Sequence, residues 1–125
     1  MIKNVLLVGL GGGIGSMARY LFQRWMQALY PQHFPWGTFG VNIIGCFAIG
    51  LFWGLSFKSF NENESWKLFL MVGLCGGFTT FSAFTLEGIG LLKEQRLFLF
   101  FSYILASVIL GLLATWLGML ITRSN

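Results

Sequence analysis

The chain has 125 residues, 56% of them hydrophobic and 10% charged, with a mean hydropathy of +0.76. A water-soluble domain carries about 25% charged residues, so this composition excludes an ordinary soluble domain, and the length holds one domain, 1–125. The formal charge of +4 is thinly spread; nothing points to a nucleic-acid partner, and the implied solvent is membrane lipid.

Four apolar runs follow in order, at about 4–26, 37–57, 66–92 and 97–122. Each reaches the ~20 residues that cross ~30 Å of hydrocarbon as a helix. The first is too long for a signal peptide and has no small-residue cleavage pattern. The connector YPQHFPWG holds both prolines, KSFNENESWK holds Glu62 and Glu64, and KEQR is compact and charged. In the third run, GLCGGFTTFSAF (Gly73–Phe84) sets Gly76, Gly77, Thr79, Thr80 and Ser82 where a helix should run unbroken. The expected fold is an all-α integral membrane protein of four transmembrane helices, the third interrupted.

Up-and-down spans put Lys3, Lys58, Lys67 and Arg123 on one side of the membrane. Arg24, Lys93 and Arg96 lie on the other, with Arg19 a little deeper. Orientation follows the Lys/Arg difference between the sides, and here it is close to nil. A chain without a bias inserts both ways up. Four helices do not surround a path and also pack well, so two oppositely inserted copies are expected to pair about an axis in the membrane plane. The alternative is a parallel dimer. Gly9/Gly13, Gly11/Gly15 and Gly50/Gly54 are small-xxx-small pairs suited to tight crossings; the sequence leaves open which of them face a second copy.

Several familiar chemistries find no support. VLLVGLGGGIGSMARYL places Gly11, Gly13 and Ser16 near dinucleotide-loop spacing, but the motif needs an acid about 20 residues on. The chain has no aspartate, and its first glutamate is Glu62. Cys46 and Cys75 share no metal-ligand spacing and read as small reduced apolar residues. His33 stands alone between two prolines, and neither a Ser/His/Asp set nor a carboxylate pair exists. The chain is not expected to be an enzyme.

The informative residues are polar ones inside spans, which are costly there. Counting ~1.5 Å per residue, Arg19, Asn42, Phe81, Phe84, Glu87, Tyr103 and Ser107 all fall in one half of the bilayer. Tyr103, Ser107 and Gly111 share a helix face at i, i+4, i+8. The groups are mostly donors, and the one embedded acid, Glu87, lies at a depth that suits pairing with Arg19. A phenylalanine ring is positive at its edge, so Phe81 and Phe84, one turn apart, are able to offer successive edges to a small anion. The plain alternatives are that each polar group is satisfied privately by a neighbour and that the rings are core packing.

GGFTTFSAF (Gly76–Phe84) followed by Glu87, GGGIGSMARY (Gly11–Tyr20) and PWGTFGVNIIG (Pro35–Gly45) resemble the third-, first- and second-helix motifs of the small fluoride channels, the Fluc/CrcB family. The fourth helix resembles the family through its Tyr103, Ser107 and Gly111 face. The resemblance implies a fluoride-selective channel of the cell (inner) membrane that passively releases fluoride and prevents its toxicity. It implies a dual-topology antiparallel homodimer with two pores. Phe81 and Phe84 would contact the ion, Asn42 would donate beside them, and Tyr103 and Ser107 would continue a polar track. Arg19 would sit at the vestibule, with Glu87 matching the acid after the box. A structural Na⁺ at the two-fold axis would be held by the backbone carbonyls of Gly76 and Thr79 from both copies. Ala83 stands where many members have threonine. A different class, the proton-coupled small multidrug exporter, also uses four helices in an antiparallel dimer, and Glu87 is its sole candidate acid. A helper or scaffold without transport is a third reading.

Overall fold

The computed structural model describes residues 1–30, 34–56 and 65–123. His33, Phe57, Lys58, Glu62 and Glu64 lie outside them. The elements are α1 (Ile2–Leu29), α2 (Trp36–Ser56), α3 (Ser65–Lys67), a π-helical segment π1 (Leu68–Cys75), α4 (Gly76–Phe78), α5 (Phe81–Lys93) and α6 (Leu97–Arg123). Among the described residues, Ile2–Leu29, Trp36–Ser56, Ser65–Lys93 and Leu97–Thr122 are long and apolar enough to cross a membrane. The protein is an all-helical, multi-pass membrane protein. The continuous helix through Gly11 and Gly13 removes the dinucleotide reading, which requires a strand and turn there.

Local chemistry sets the helix ends. Pro35 lacks an N–H, so it leaves no orphan donor at the start of α2, and its carbonyl accepts from Phe39 N at 3.0 Å. Helix α5 closes in a Schellman turn: Arg96 N donates to Leu91 O and Gln95 N to Leu92 O, both at 3.0 Å. Gln95 occupies the left-handed position usually given to glycine, with φ 61°. The KEQR connector is thus a defined reversal that sends α6 back beside α5.

Two glycine-lined crossings hold the bundle. At the first, α1 meets π1 and α4: a Cβ on Gly11 would strike Phe69 O, and one on Gly73 would come 2.9 Å from Val8 O. At the second, α2 meets α6, the most extensive helix pairing in the fold. There a Cβ on Gly50 would strike Thr115 O and one on Gly118 would come 2.5 Å from Phe47 O. Thr115 Oγ1 donates across this seam to Cys46 O at 3.0 Å. Small residues at both contacts let backbones approach where lipid supplies no hydrophobic drive. Outside them the chain is apolar, with Phe98 82%, Leu86 75% and Leu112 69% exposed, as a surface meant for lipid or another copy should be.

Candidate functional site

The site is organised by two residues that leave the helical path. Thr79 (φ −88°, ψ 161°) and Thr80 (φ −151°, ψ 119°) are extended, separating α4 from α5. Backbone groups freed in a membrane must find partners. Asn42 on α2 supplies two: its Nδ2 donates to Thr80 O at 3.0 Å and its Oδ1 accepts from Thr80 N at 2.8 Å. Arg19 Nε donates to Gly77 O at 3.0 Å. Thr80 Oγ1 caps α5 by accepting from Ala83 N at 3.2 Å. With Thr80 N and Ala83 N so engaged, the carbonyls of Gly76 and Thr79 lose the donors that an unbroken helix would have given them. Gly76 is exposed, with no atom within 4 Å of a Cβ built on it.

Beside the interruption lies a cavity of about 370 Å³ whose lining includes Asn42, Thr79, Phe81, Phe84 and Ser107. Among the described residues, no acidic or basic side chain lines it. The Phe81 and Phe84 rings are 5.8 Å apart and tilted by 39°. Phe81 is 76% exposed, so most of its ring is uncovered within one chain. Among the described residues, Ser107 Oγ is the buried side-chain polar atom without a hydrogen-bond partner. Both free thiols, Cys46 and Cys75, also border this cavity.

A second cavity, of about 680 Å³, opens on the other face of α5, where Ala83, Glu87, Gly90, Leu91 and Glu94 follow helical spacing. Gln23 of α1 and Thr38 of α2 complete its polar wall, with Gln23 Nε2 donating to Thr38 Oγ1 at 3.0 Å. Tyr103 is in the lining of neither cavity and is fully buried, touching a residue of each. Its hydroxyl donates to Glu87 Oε1, a long bond of 3.5 Å. Its ring packs 5.0 Å from Phe84 and 5.4 Å, edge to face, from Phe34. An aromatic ladder Phe34–Tyr103–Phe84–Phe81 therefore links the two spaces.

The structure brings Asn42, Phe81, Phe84 and Ser107 to one cavity; Tyr103 is not in its lining and packs against Phe84 from behind it. Glu87 lies on the opposite side of α5. The expected Arg19–Glu87 pairing is not what forms. Arg19 Nε donates to the Gly77 carbonyl, and Glu87 accepts from Tyr103. Arg19 is likewise absent from the lining of the larger cavity. Asn42, expected to face the ion, spends one amide hydrogen and its oxygen on Thr80; the second Nδ2 hydrogen remains for the cavity. Gly11, Gly15, Gly50 and Gly54 pack within the chain, whereas Gly9 and Gly13 meet nothing within 4 Å. Sequence reading missed Thr38, 1% exposed, and Gln23. The signal for Thr38 was a hydroxyl inside PWGTFG at the start of a span.

The chain is similar to known proteins over nearly its whole length. Residues 6–119 match the family described as CrcB-like protein, Camphor Resistance (CrcB). Over 122 residues, 98% of both chains, the sequence is 45% identical to a Flavobacterium psychrophilum protein named fluoride-specific ion channel FluC. A protein of the same name from Phocaeicola vulgatus is 48% identical over 117 residues, 94% of this chain and 96% of its own. One from Rhizobium etli is 44% identical over 121 residues, 97% of both.

Proposed function

Because the chain belongs to the CrcB-like family, we propose that it is a fluoride-selective channel of the cell membrane that lets fluoride leave the cell passively. The observation that carries this reading is the smaller cavity itself. It offers a buried, partnerless Ser107 hydroxyl, a spare Asn42 amide hydrogen and the rings of Phe81 and Phe84, with no charged side chain. Donors and ring edges suit a small dehydrated anion. A cation exporter instead needs a carboxylate where its substrate binds; Glu87 lines the other space and is tied to Tyr103. On this reading fluoride enters from the larger cavity, passes the Tyr103 hydroxyl and descends along Ser107 and the two rings.

The working unit is an antiparallel dual-topology homodimer. Supporting it are the balanced flanking charges, the uncovered ring of Phe81, and the open Gly9, Gly13 and Gly76. The helix interruption serves this dimer. A Na⁺ on its axis would fit the Gly76 and Thr79 carbonyls, whose usual donors are bonded elsewhere. Two copies supply four neutral oxygens, a donor set suited to a hard monovalent cation. When bound, the ion would satisfy those carbonyls and fasten the two interruptions together.

The test is efflux from liposomes containing the purified protein, followed with a fluoride electrode. Fluoride release without chloride release is expected. Release of neither ion, together with loss of drug resistance in cells on Glu87→Gln, moves the assignment to proton-coupled export.

A further inference from the structure

Helix α2 meets the interruption at two successive positions of one face, Asn42 and Gly45. Asn42 holds Thr80 through both of its backbone groups. Gly45, which is buried, meets the residue before it. A Cβ built on Gly45 would strike Thr79 Cγ2, whereas the next nearest atoms, Phe78 Cδ2 and Thr79 Cβ, are both at 3.6 Å, an ordinary contact. The bare Cα of Gly45 is therefore a notch that one methyl group fills. That methyl has no easy alternative position. Thr79 Oγ1 donates to Cys75 O at 3.0 Å, and Thr79 N bonds the same carbonyl at 3.0 Å. A β-branched side chain is stiff about χ1. Turning the methyl out of the notch breaks the hydroxyl's bond, where lipid offers no replacement.

We propose that Gly45 is a positioning residue for fluoride passage: its missing side chain seats the Thr79 methyl, and the seated methyl sets the direction in which the chain passes from α4 to Phe81. The inference rests on the fluoride-channel reading and adds to it a second point at which α2 holds the interruption. Thr79 is where the chain leaves the helical path, with ψ 161°. On one side of that rotation the Thr79 Cβ is pinned by the notch and by Cys75 O. On the other side Thr80 N is held by Asn42 Oδ1 at 2.8 Å. The peptide between them is planar and trans, so fixing both ends fixes its plane and aims Thr79 O away from α2. One residue further on, Phe81 opens α5. Without the notch, Asn42 holds only the far side of the turn, and the near side has to swing with the start of α5.

The test combines Gly45→Ala with Thr79→Ser in full-length protein. Fluoride efflux is measured from liposomes, and amide exchange over residues 79–82 is measured in detergent. Thr79→Ser keeps the hydroxyl for Cys75 O and removes the one atom that a Cβ at position 45 would strike. Gly45→Ala alone should slow efflux and speed exchange, each by about tenfold, the scale of an overpacked contact. Thr79→Ser alone leaves the notch unfilled and should slow efflux by about two- to threefold. Added to Thr79→Ser, Gly45→Ala should do no further harm, leaving both readouts within about twofold of Thr79→Ser or better, because the contact it acts through is gone. Wild-type efflux and exchange from Gly45→Ala overturn the proposal. Slow efflux with unchanged exchange also overturns it, since the added methyl then acts by filling the cavity. A Gly45→Ala deficit that persists beside Thr79→Ser does the same. If Gly45→Ala does not fold, recovery of folded protein on adding Thr79→Ser supports the proposal, and continued failure overturns it. Absence of fluoride efflux from the wild type itself sinks the channel assignment, a separate outcome, while the exchange comparison still decides whether Gly45 seats Thr79.

Discussion

Replacing Asn42 by leucine isolates the physical role of the interruption. Leucine keeps the volume and removes both bonds to Thr80, at 3.0 and 2.8 Å. Side-chain hydrogen bonds in membrane proteins contribute about 0.6 kcal/mol on average and up to about 1.7. Two of them therefore stabilise the folded chain by about 1–3 kcal/mol, and the Thr80 N–H and C=O have no water to fall back on. Asn42→Leu is expected to unfold earlier in a denaturant series in detergent by that amount. Amide exchange in a peptide covering Thr79–Ser82, read by mass spectrometry, should speed up by roughly ten- to a hundredfold, since about 1.4 kcal/mol is a factor of ten. Fluoride efflux should fall with it, because Phe81 and Phe84 are aimed by the helix that starts at this point. If the variant matches wild type in unfolding and in exchange while efflux still collapses, Asn42 acts only as a donor to the ion. The account of Asn42 as a backbone clamp would then be wrong.

Ser107→Ala should leave stability unchanged or slightly raised, because the hydroxyl it removes is buried without a partner, yet lower fluoride efflux by about tenfold; normal efflux would remove Ser107 from the path. Phe81→Ile keeps bulk but discards the ring edges, and a loss of about three- to tenfold in efflux is expected from the scale of aromatic edge interactions. Gln95→Gly relieves the left-handed position at φ 61°, which costs a non-glycine residue about 1–2 kcal/mol; net of glycine's extra chain entropy it should stabilise the fold by up to about 1 kcal/mol without touching efflux. Gly50→Leu drives a side chain into Thr115 O at the α2–α6 seam and should abolish recovery of folded protein, as judged by size-exclusion chromatography. Exchange of Na⁺ for choline should weaken the dimer in the same assay if the Gly76 and Thr79 carbonyls hold the ion; an unaffected dimer counts against that site.

The spans were legible because each is a long apolar run, and their helices differ from the sequence reading mainly at the ends. Helix α1 extends to Ile2 and Leu29, since flanking polar residues continue a helix once the apolar part has fixed it. The phase of the glycines was not legible. Gly9/Gly13 and Gly11/Gly15 are identical patterns on paper, and only the position of π1 decides that the second pair is buried. Partners that are backbone carbonyls are equally invisible to a reading of side chains. Arg19 was therefore matched with the acid at its depth, when its acceptor is Gly77 O. The Gln23–Thr38 bond joins two spans whose relative rotation no local pattern records.

The interruption itself is the feature on which the proposed dimer most depends. Opening a helix at Thr79 and Thr80 releases donors and acceptors together, and the chain treats them differently. Two of the released donors are met from inside: Thr80 N by Asn42 and Ala83 N by Thr80 Oγ1. Of the acceptors, Thr80 O is met by Asn42 and Gly77 O by Arg19. Asn42 and Arg19 reach in from other elements, α2 and α1, whereas Thr80 caps its own helix. The Gly76 and Thr79 carbonyls are the ones whose helical donors those same bonds have taken. An uncompensated carbonyl in hydrocarbon costs several kcal/mol, more than a membrane fold of this size would leave unanswered next to an exposed glycine. On the proposed reading, a partner copy and a shared cation would supply partners for these two carbonyls.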